Sequence, residues 1–229
     1  MLKITALPSP AKAVGLGAIL ALVGFVGYPL IGSAVFLVAC LRAYWSFGSD
    51  RVRLRWLFWA LSALGLAAAL VLPAGWALGA VALGYALALW AAFALFEFQI
   101  PNPDFWHQFL STIVVWAAAV LGYHFGYPAL GPLLPALAAA VTTREYLSCA
   151  GPRFARLSGA AVGVIAFETF RLAGLLPLGT LRGAAVVALV AGFVRDVARG
   201  ASAGEGFRAF SLTVFGILLL AAVSSWDLS

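Results

Sequence analysis

Glu168 and Arg171 are the residues whose position most asks for a chemical explanation, because both fall inside an otherwise apolar stretch, Ser158-Gly159-Ala160 through Leu172-Ala173-Gly174. On a helix, a spacing of three places them on one face, where they can pair. A charge at the centre of a bilayer costs about 2.5–3.5 kcal/mol on insertion scales, so it must face protein, water or a partner. Two roles fit: an ion pair that orients its helix in a bundle, or a coupling site where Glu168 titrates and Arg171 holds an anion. His124 adds a group with an ordinary pKa of about 6.5 near the expected outer end of a helix, either an interfacial hydrogen-bonding anchor or a pH-sensitive gate. Asp104 and His107, one helical turn apart, suit an acid/base pair or a solvated interfacial turn. Arg195, Asp196 and Arg199 stand at a helix end before the glycine-rich residues 200–206. Basic groups there complement the helix dipole, or serve as a docking surface for a cytoplasmic partner or a phosphate.

Other chemistry loses its support at the level of motifs. The chain has no Walker sequence, no GxSxG, no HExxH, no paired-aspartate run and no membrane lysine to carry retinal. Cys40 and Cys149 belong to no CxxC or Cys/His spacing. His107 and His124 are expected on opposite sides of the membrane and so cannot share a metal. No cofactor and no metal are expected, and enzymatic activity is the less favoured class.

These groups have to be positioned in lipid. The 229 residues are 64% hydrophobic and 10% charged, with a mean hydropathy of +1.05, whereas soluble domains run near about 45–50% apolar and about 25% charged. The expected class is therefore an all-α integral membrane protein, a polytopic helical bundle. Its first apolar segment follows Lys3 and Lys12 and leads into further apolar segments rather than a polar domain, which argues against a cleaved signal peptide. The formal charge of +6 comes from short basic clusters between apolar runs, the pattern of cytoplasmic loops facing anionic lipid rather than of a nucleic-acid partner.

The layout turns on a phrase used twice, Gly27-Tyr28-Pro29 and Gly126-Tyr127-Pro128, 99 residues apart. It suggests a weak internal repeat with halves at about 13–97 and 109–198. Residues 13–41 would make about 44 Å of helix against about 30 Å of hydrocarbon. Reading Gly-Tyr-Pro as a stop and restart gives helices at 13–27 and 30–47, then 55–72 and 76–96, a central link 97–108, helices at 109–126 and 129–143, a basic loop around Arg144 to Arg156, helices at 157–176 and 181–197, and a last helix at 208–226. Trp45 and Trp56 serve as interfacial anchors. With the N-terminus cytoplasmic, twelve of the fourteen lysines and arginines fall inside, all but Arg171 and Arg182. Nine crossings with the C-terminus outside are thus preferred over seven, in which each long stretch is one kinked helix and two three-helix repeats precede a final one. Pairs of small residues such as Gly159 and Gly163 allow close helix approach and are expected to bury the charged helix among its neighbours.

Internal repeats and a charged pair at the midplane are features of secondary transporters. The leading expectation is a small transporter or channel for a small solute or ion in a prokaryotic plasma membrane (cell inner membrane), a homo-oligomer or part of a larger complex, with Glu168, Arg171 and His124 on the pathway and Arg195, Asp196 and Arg199 as docking residues. A non-catalytic integral subunit or scaffold of a larger membrane complex is the second reading. The third is a membrane enzyme acting on a lipid or isoprenoid, using Asp104, His107 and Arg144.

Overall fold

A computed structural model describes residues 9–25, 29–45, 55–72, 75–96, 103–125, 130–150, 152–176 and 178–199. Among them the chain is all-helical, with eight α-helices: α1 Ser9–Phe25, α2 Pro29–Trp45, α3 Arg55–Val71, α4 Trp76–Phe96, α5 Pro103–Phe125, α6 Leu133–Tyr146, α7 Pro152–Gly174 and α8 Gly179–Ala198. A 3₁₀ turn, Leu147–Ala150, joins α6 to α7. The two Gly-Tyr-Pro turns and the expected helix 208–226 lie outside the described residues, Pro29 excepted.

Among the described residues three helices are long and apolar enough to cross a membrane: Trp76–Phe93 in α4, Asp104–Phe125 in α5 and Arg153–Gly174 in α7. Nine such helices are not seen among the described residues, for reasons of length and charge. The helices α1, α2 and α3 have 17 residues each, about 26 Å against a core of about 30 Å. With 14 residues, α6 reaches only about 21 Å. In α8 the apolar run is broken by Arg182, Arg195 and Asp196.

The single kinked helix for residues 13–41 is ruled out by packing. A Cβ built on Gly32 of α2 would meet Val23 Cα of α1 at 3.2 Å, so the two segments fold back on each other as a hairpin. In the second half, Gly122 of α5 lies directly against the Gly131 carbonyl, and the chain again reverses. The starts of two helices differ from expectation. The α5 helix begins at Pro103 instead of 109, since proline fits the first helical position and Asp104 complements the positive helix end. Likewise α7 begins at Pro152 instead of 157, which moves Arg153 and Arg156 from a loop onto helix.

The chain divides into two compact units, residues 1–107 and 108–229. In the first, α1 packs closely on α4: a Cβ on Gly17 would fall 2.7 Å from Ala86 Cβ. Leu20, Phe36, Leu57, Phe58, Leu89 and Phe93 are fully buried. Tyr85 shares a 3.0 Å hydrogen bond with Ser62 beside the buried Cys40 thiol. In the second unit, α6 packs most extensively on α7, and α7 in turn on α8. Gly159 and Gly163 make this possible, because their missing Cβ atoms would sit 2.7 Å from the Ala140 carbonyl and 3.0 Å from the Ala136 carbonyl. Val115, Ala119, Val162, Ala166, Phe170 and Val187 fill the core. The dominant pairing, first helix on fourth in one unit and second on third in the other, does not repeat. Nor does the role of the proline: Pro29 opens α2, whereas α6 opens at Leu133, five residues after Pro128.

Candidate functional site

The polar residues of the second unit meet where the start of α5 comes alongside the ends of α6 and α8. The Gln108 side-chain amide on α5 donates to Tyr146 Oη on α6 at 2.8 Å and to Asp196 Oδ1 on α8 at 3.2 Å. Arg195 Nε donates to the same Asp196 oxygen at 3.4 Å. Arg199 Nη1 donates to Tyr146 Oη. Both guanidinium groups also lie over the Tyr146 ring, at 5.5 Å for Arg195 and 5.0 Å for Arg199, within cation–π range. The Arg195 side chain is only 6% exposed and that of Asp196 28%. Arg195 is thus an internal group. Burial of a full charge is tolerated here because a carboxylate, a ring face and a polar cavity surround it.

Arg195 belongs both to the network and to the lining of that cavity. The cavity is about 10 Å³, room for one water molecule. Its lining comprises Ser111 and Thr112 of α5, Thr142 and Thr143 of α6, and Gly192 and Arg195 of α8, on an apolar floor of Val115, Ala139, Ala188 and Ala191. Two of its hydroxyls have their protons directed elsewhere: Thr112 Oγ1 donates to the Gln108 carbonyl at 2.8 Å, and Thr142 Oγ1 to the Ala138 carbonyl at 2.8 Å. These two hydroxyls therefore keep lone pairs as acceptors, while the Arg195 guanidinium carries N–H donors only. A lining of mixed donors and acceptors suits water or a small neutral solute with hydroxyl or amide groups. A bare anion would meet acceptor oxygens as well as the guanidinium.

The other residues singled out from the sequence lie elsewhere. Glu168 and Arg171 do pair, 3.9 Å apart, but with side chains 56% and 63% exposed. They occupy the outer face of α7, opposite the Gly159/Gly163 face held by α6, and take no part in the cavity. The expectation that small residues would draw this pair inward fails on helical phase: nine residues separate Gly159 from Glu168, and nine steps of about 100° amount to half a turn. His124 is exposed at the far end of α5. His107 is buried at the near end, and Asp104, one turn earlier, is exposed. Arg144 is exposed on α6, followed by the buried Glu145. No group of three histidine, cysteine or acidic side chains converges among the described residues. Gln108, Ser111, Thr112, Thr142, Thr143 and Tyr146 escaped sequence reasoning. The available signal was the recurrence of Gln108, Ser111 and Thr112 on one stripe of α5, and of Thr142, Thr143 and Tyr146 on one stripe of α6.

No family model, no curated protein and no solved structure matches this chain.

Proposed function

We propose that the chain is a small polytopic membrane transporter or channel, and that its solute site is the cavity between α5, α6 and α8. The observation that carries this reading is the cavity lining: four hydroxyl-bearing residues and a buried arginine, beside an apolar cluster formed by α5, α6, α7 and α8. Polar groups buried at such a place in a membrane bundle serve a pathway more readily than they serve stability. The solute that fits the space as it stands is water, and a larger neutral, hydrogen-bonding solute enters only where the helices part. In the topology that accompanies this reading, the eight described helices and the segment 208–226 make nine crossings, with the N-terminus and the Gln108–Tyr146–Asp196 network on the cytoplasmic side of a prokaryotic plasma membrane. The weak repeat at 13–97 and 109–198 is then a relic of sequence that the packing of the two units has outgrown.

Gly192 offers the decisive test. A Cβ there would stand 3.8 Å from both Arg195 Nη2 and Thr112 Oγ1, an ordinary contact, so alanine fits without strain. Its methyl group fills the one-water space. Gly192→Ala should therefore keep or raise stability by up to about 1 kcal/mol, the usual helix gain of alanine over glycine, while slowing flux. The assay is stopped-flow swelling of proteoliposomes against water, urea and glycerol gradients, with empty vesicles as reference. Wild-type flux equal to that of empty vesicles for all three would end the transport reading. Wild-type flux that Gly192→Ala leaves unchanged would keep transport and move its site elsewhere.

A further inference from the structure

Arg144 of α6 and Arg153 and Arg156 of α7 are exposed, and no carboxylate pairs with any of them among the described residues. Arg153 and Arg156 stand at the start of α7, where positive charge opposes the helix dipole and no acidic residue offsets it. Helix stability therefore does not account for them.

The packing of α6 on α7 brings the three together. A Cβ on Gly159 would lie 3.1 Å from Arg144 Cβ, and Arg156, three residues before Gly159, is its neighbour on the helix surface at about 5–6 Å. On one flank of the Gly159/Gly163 line lie the core residues Val162, Ala166 and Ala173. On the other flank, at about 100° per residue, Arg153, Arg156, Ala160 and Val164 fall within about 80° of one another, and all four are exposed. Seven residues apart on α6, Leu137 and Arg144 share an exposed stripe, since the opposite flank of that helix, with Ala139 and Thr142, is buried. The helices run antiparallel, Gly163 beside Ala136 and Gly159 beside Ala140 and Arg144. A groove thus follows the α6/α7 seam, with Leu137, Ala160 and Val164 along it and the three arginines at the end nearer the 3₁₀ turn.

Depth and charge select the occupant. Arg153 opens the apolar window of α7, Arg153–Gly174. With α7 across the bilayer, Arg153 and Arg156 stand at headgroup level, and Arg144, level with Gly159 about 9 Å further in, reaches back along its aliphatic stem. A negative headgroup with an apolar tail fills both parts of the groove, whereas free phosphate leaves the apolar walls uncovered. The ammonium of a zwitterionic lipid meets three like charges, and Glu145, beside Arg144, is buried.

We infer that the α6/α7 groove binds an anionic phospholipid, its phosphate held by Arg144, Arg153 and Arg156 and an acyl chain lying along Leu137, Ala160 and Val164. The site requires α7 to cross the bilayer and is independent of any transport activity.

The test titrates full-length protein in neutral detergent with phosphatidylglycerol or phosphatidylcholine and counts bound lipid by native mass spectrometry. Phosphatidylglycerol should bind the more tightly. Arg144→Gln, Arg153→Gln and Arg156→Gln should each weaken it about fivefold, the share of one arginine at an anionic surface, with the lipid-free melting temperature unchanged because all three side chains are exposed. Arg171→Gln, at the other end of the same helix, should leave both lipids unaffected. Val164→Trp should weaken phosphatidylglycerol by filling the groove without altering its charge. Equal affinity for the two lipids, or an equal loss on Arg171→Gln, overturns the inference. Displacement of the lipid by millimolar inorganic phosphate, with no effect of Val164→Trp, overturns the lipid as occupant. With Cys40 and Cys149 replaced by serine, a cross-link within one chain between Val164→Cys and Leu219→Cys overturns it too, since residues 208–226 would then cover the groove.

Discussion

The Arg195–Asp196 pair should show strong thermodynamic coupling, because each group is buried chiefly against the other. Replacing Arg195 by methionine keeps the length of the side chain but leaves Asp196 with the Gln108 amide, at 3.2 Å, as its remaining donor of those described above. Loss of a charged hydrogen bond costs about 1.5–3 kcal/mol. The Asp196 side chain is 28% exposed and recovers some of this from solvent, which sets Arg195→Met near about 2 kcal/mol. Asp196→Asn strands a guanidinium only 6% exposed. Breaking a buried pair from one side costs about 3–5 kcal/mol, and the Tyr146 ring face holds this case to the lower end, near about 3 kcal/mol. The double variant has no charge left to strand, so its loss should be about 2 kcal/mol rather than the sum of about 5 kcal/mol. For a chain of this size 1 kcal/mol corresponds to about 2–4 °C, so each single change lowers the melting temperature by roughly 5–10 °C and the double change by no more. Thermal unfolding in mild detergent, followed by tryptophan fluorescence, measures all four proteins. A double variant that falls by the full sum would refute the pairing and with it the account of why Arg195 is tolerated inside.

Three further outcomes test the packing and the topology. Gly159→Leu should destabilise by about 1–3 kcal/mol or more through overpacking against the Ala140 carbonyl, whereas Gly79→Leu on α4, where nothing lies within 4 Å of the built Cβ, should keep or raise the melting temperature. Tyr123→Phe removes a 3.0 Å hydrogen bond to the Phe170 carbonyl but keeps the ring stacked at 4.0 Å; a loss of about 1 kcal/mol is expected in denaturant titration, and a much larger loss would show that the ring itself moves. In the nine-crossing topology, cysteines at Ser49, Ser148 and Ser202 label only after the membrane is permeabilised and a cysteine at Thr180 labels in intact cells; labelling of Ser49 and Ser148 from opposite sides would sink it.

The helix pattern was legible wherever a helix stop had a local cause. Pro29 opens α2 and Gly179, at φ +70°, turns the chain into α8, and both breaks can be read from composition. The start of α5 was not, because Pro101, Pro103 and Asp104 read as a link when counted as breakers. Proline and aspartate also belong to the first turn of a helix, and composition cannot say which side of the boundary they occupy. The number of crossings was not legible, because an apolar run between two breaks does not reveal whether it is 17 residues of helix or the 23 of α5 and α7. For the site, Gln108 and Tyr146 are 38 residues apart, and only the tertiary fold brings them together. The outward turn of Glu168 was open to arithmetic on helical phase once the Gly159 face was fixed, but which face of α7 meets α6 is a tertiary fact.

The second unit is fastened at two levels of α5. At one level Gln108 ties α6 and α8 together. At the other, Tyr123 holds the Phe170 carbonyl of α7 and fits against Gly183 of α8. Fifteen residues, about 22 Å of helix, separate them, and the cavity lies between. In the transport reading proposed above, a motion that admits a solute from one side has to undo one fastening while the other keeps the helices in register. Breathing of this unit should therefore alternate between its ends, and amide exchange should quicken at one end of α8 without quickening at the other.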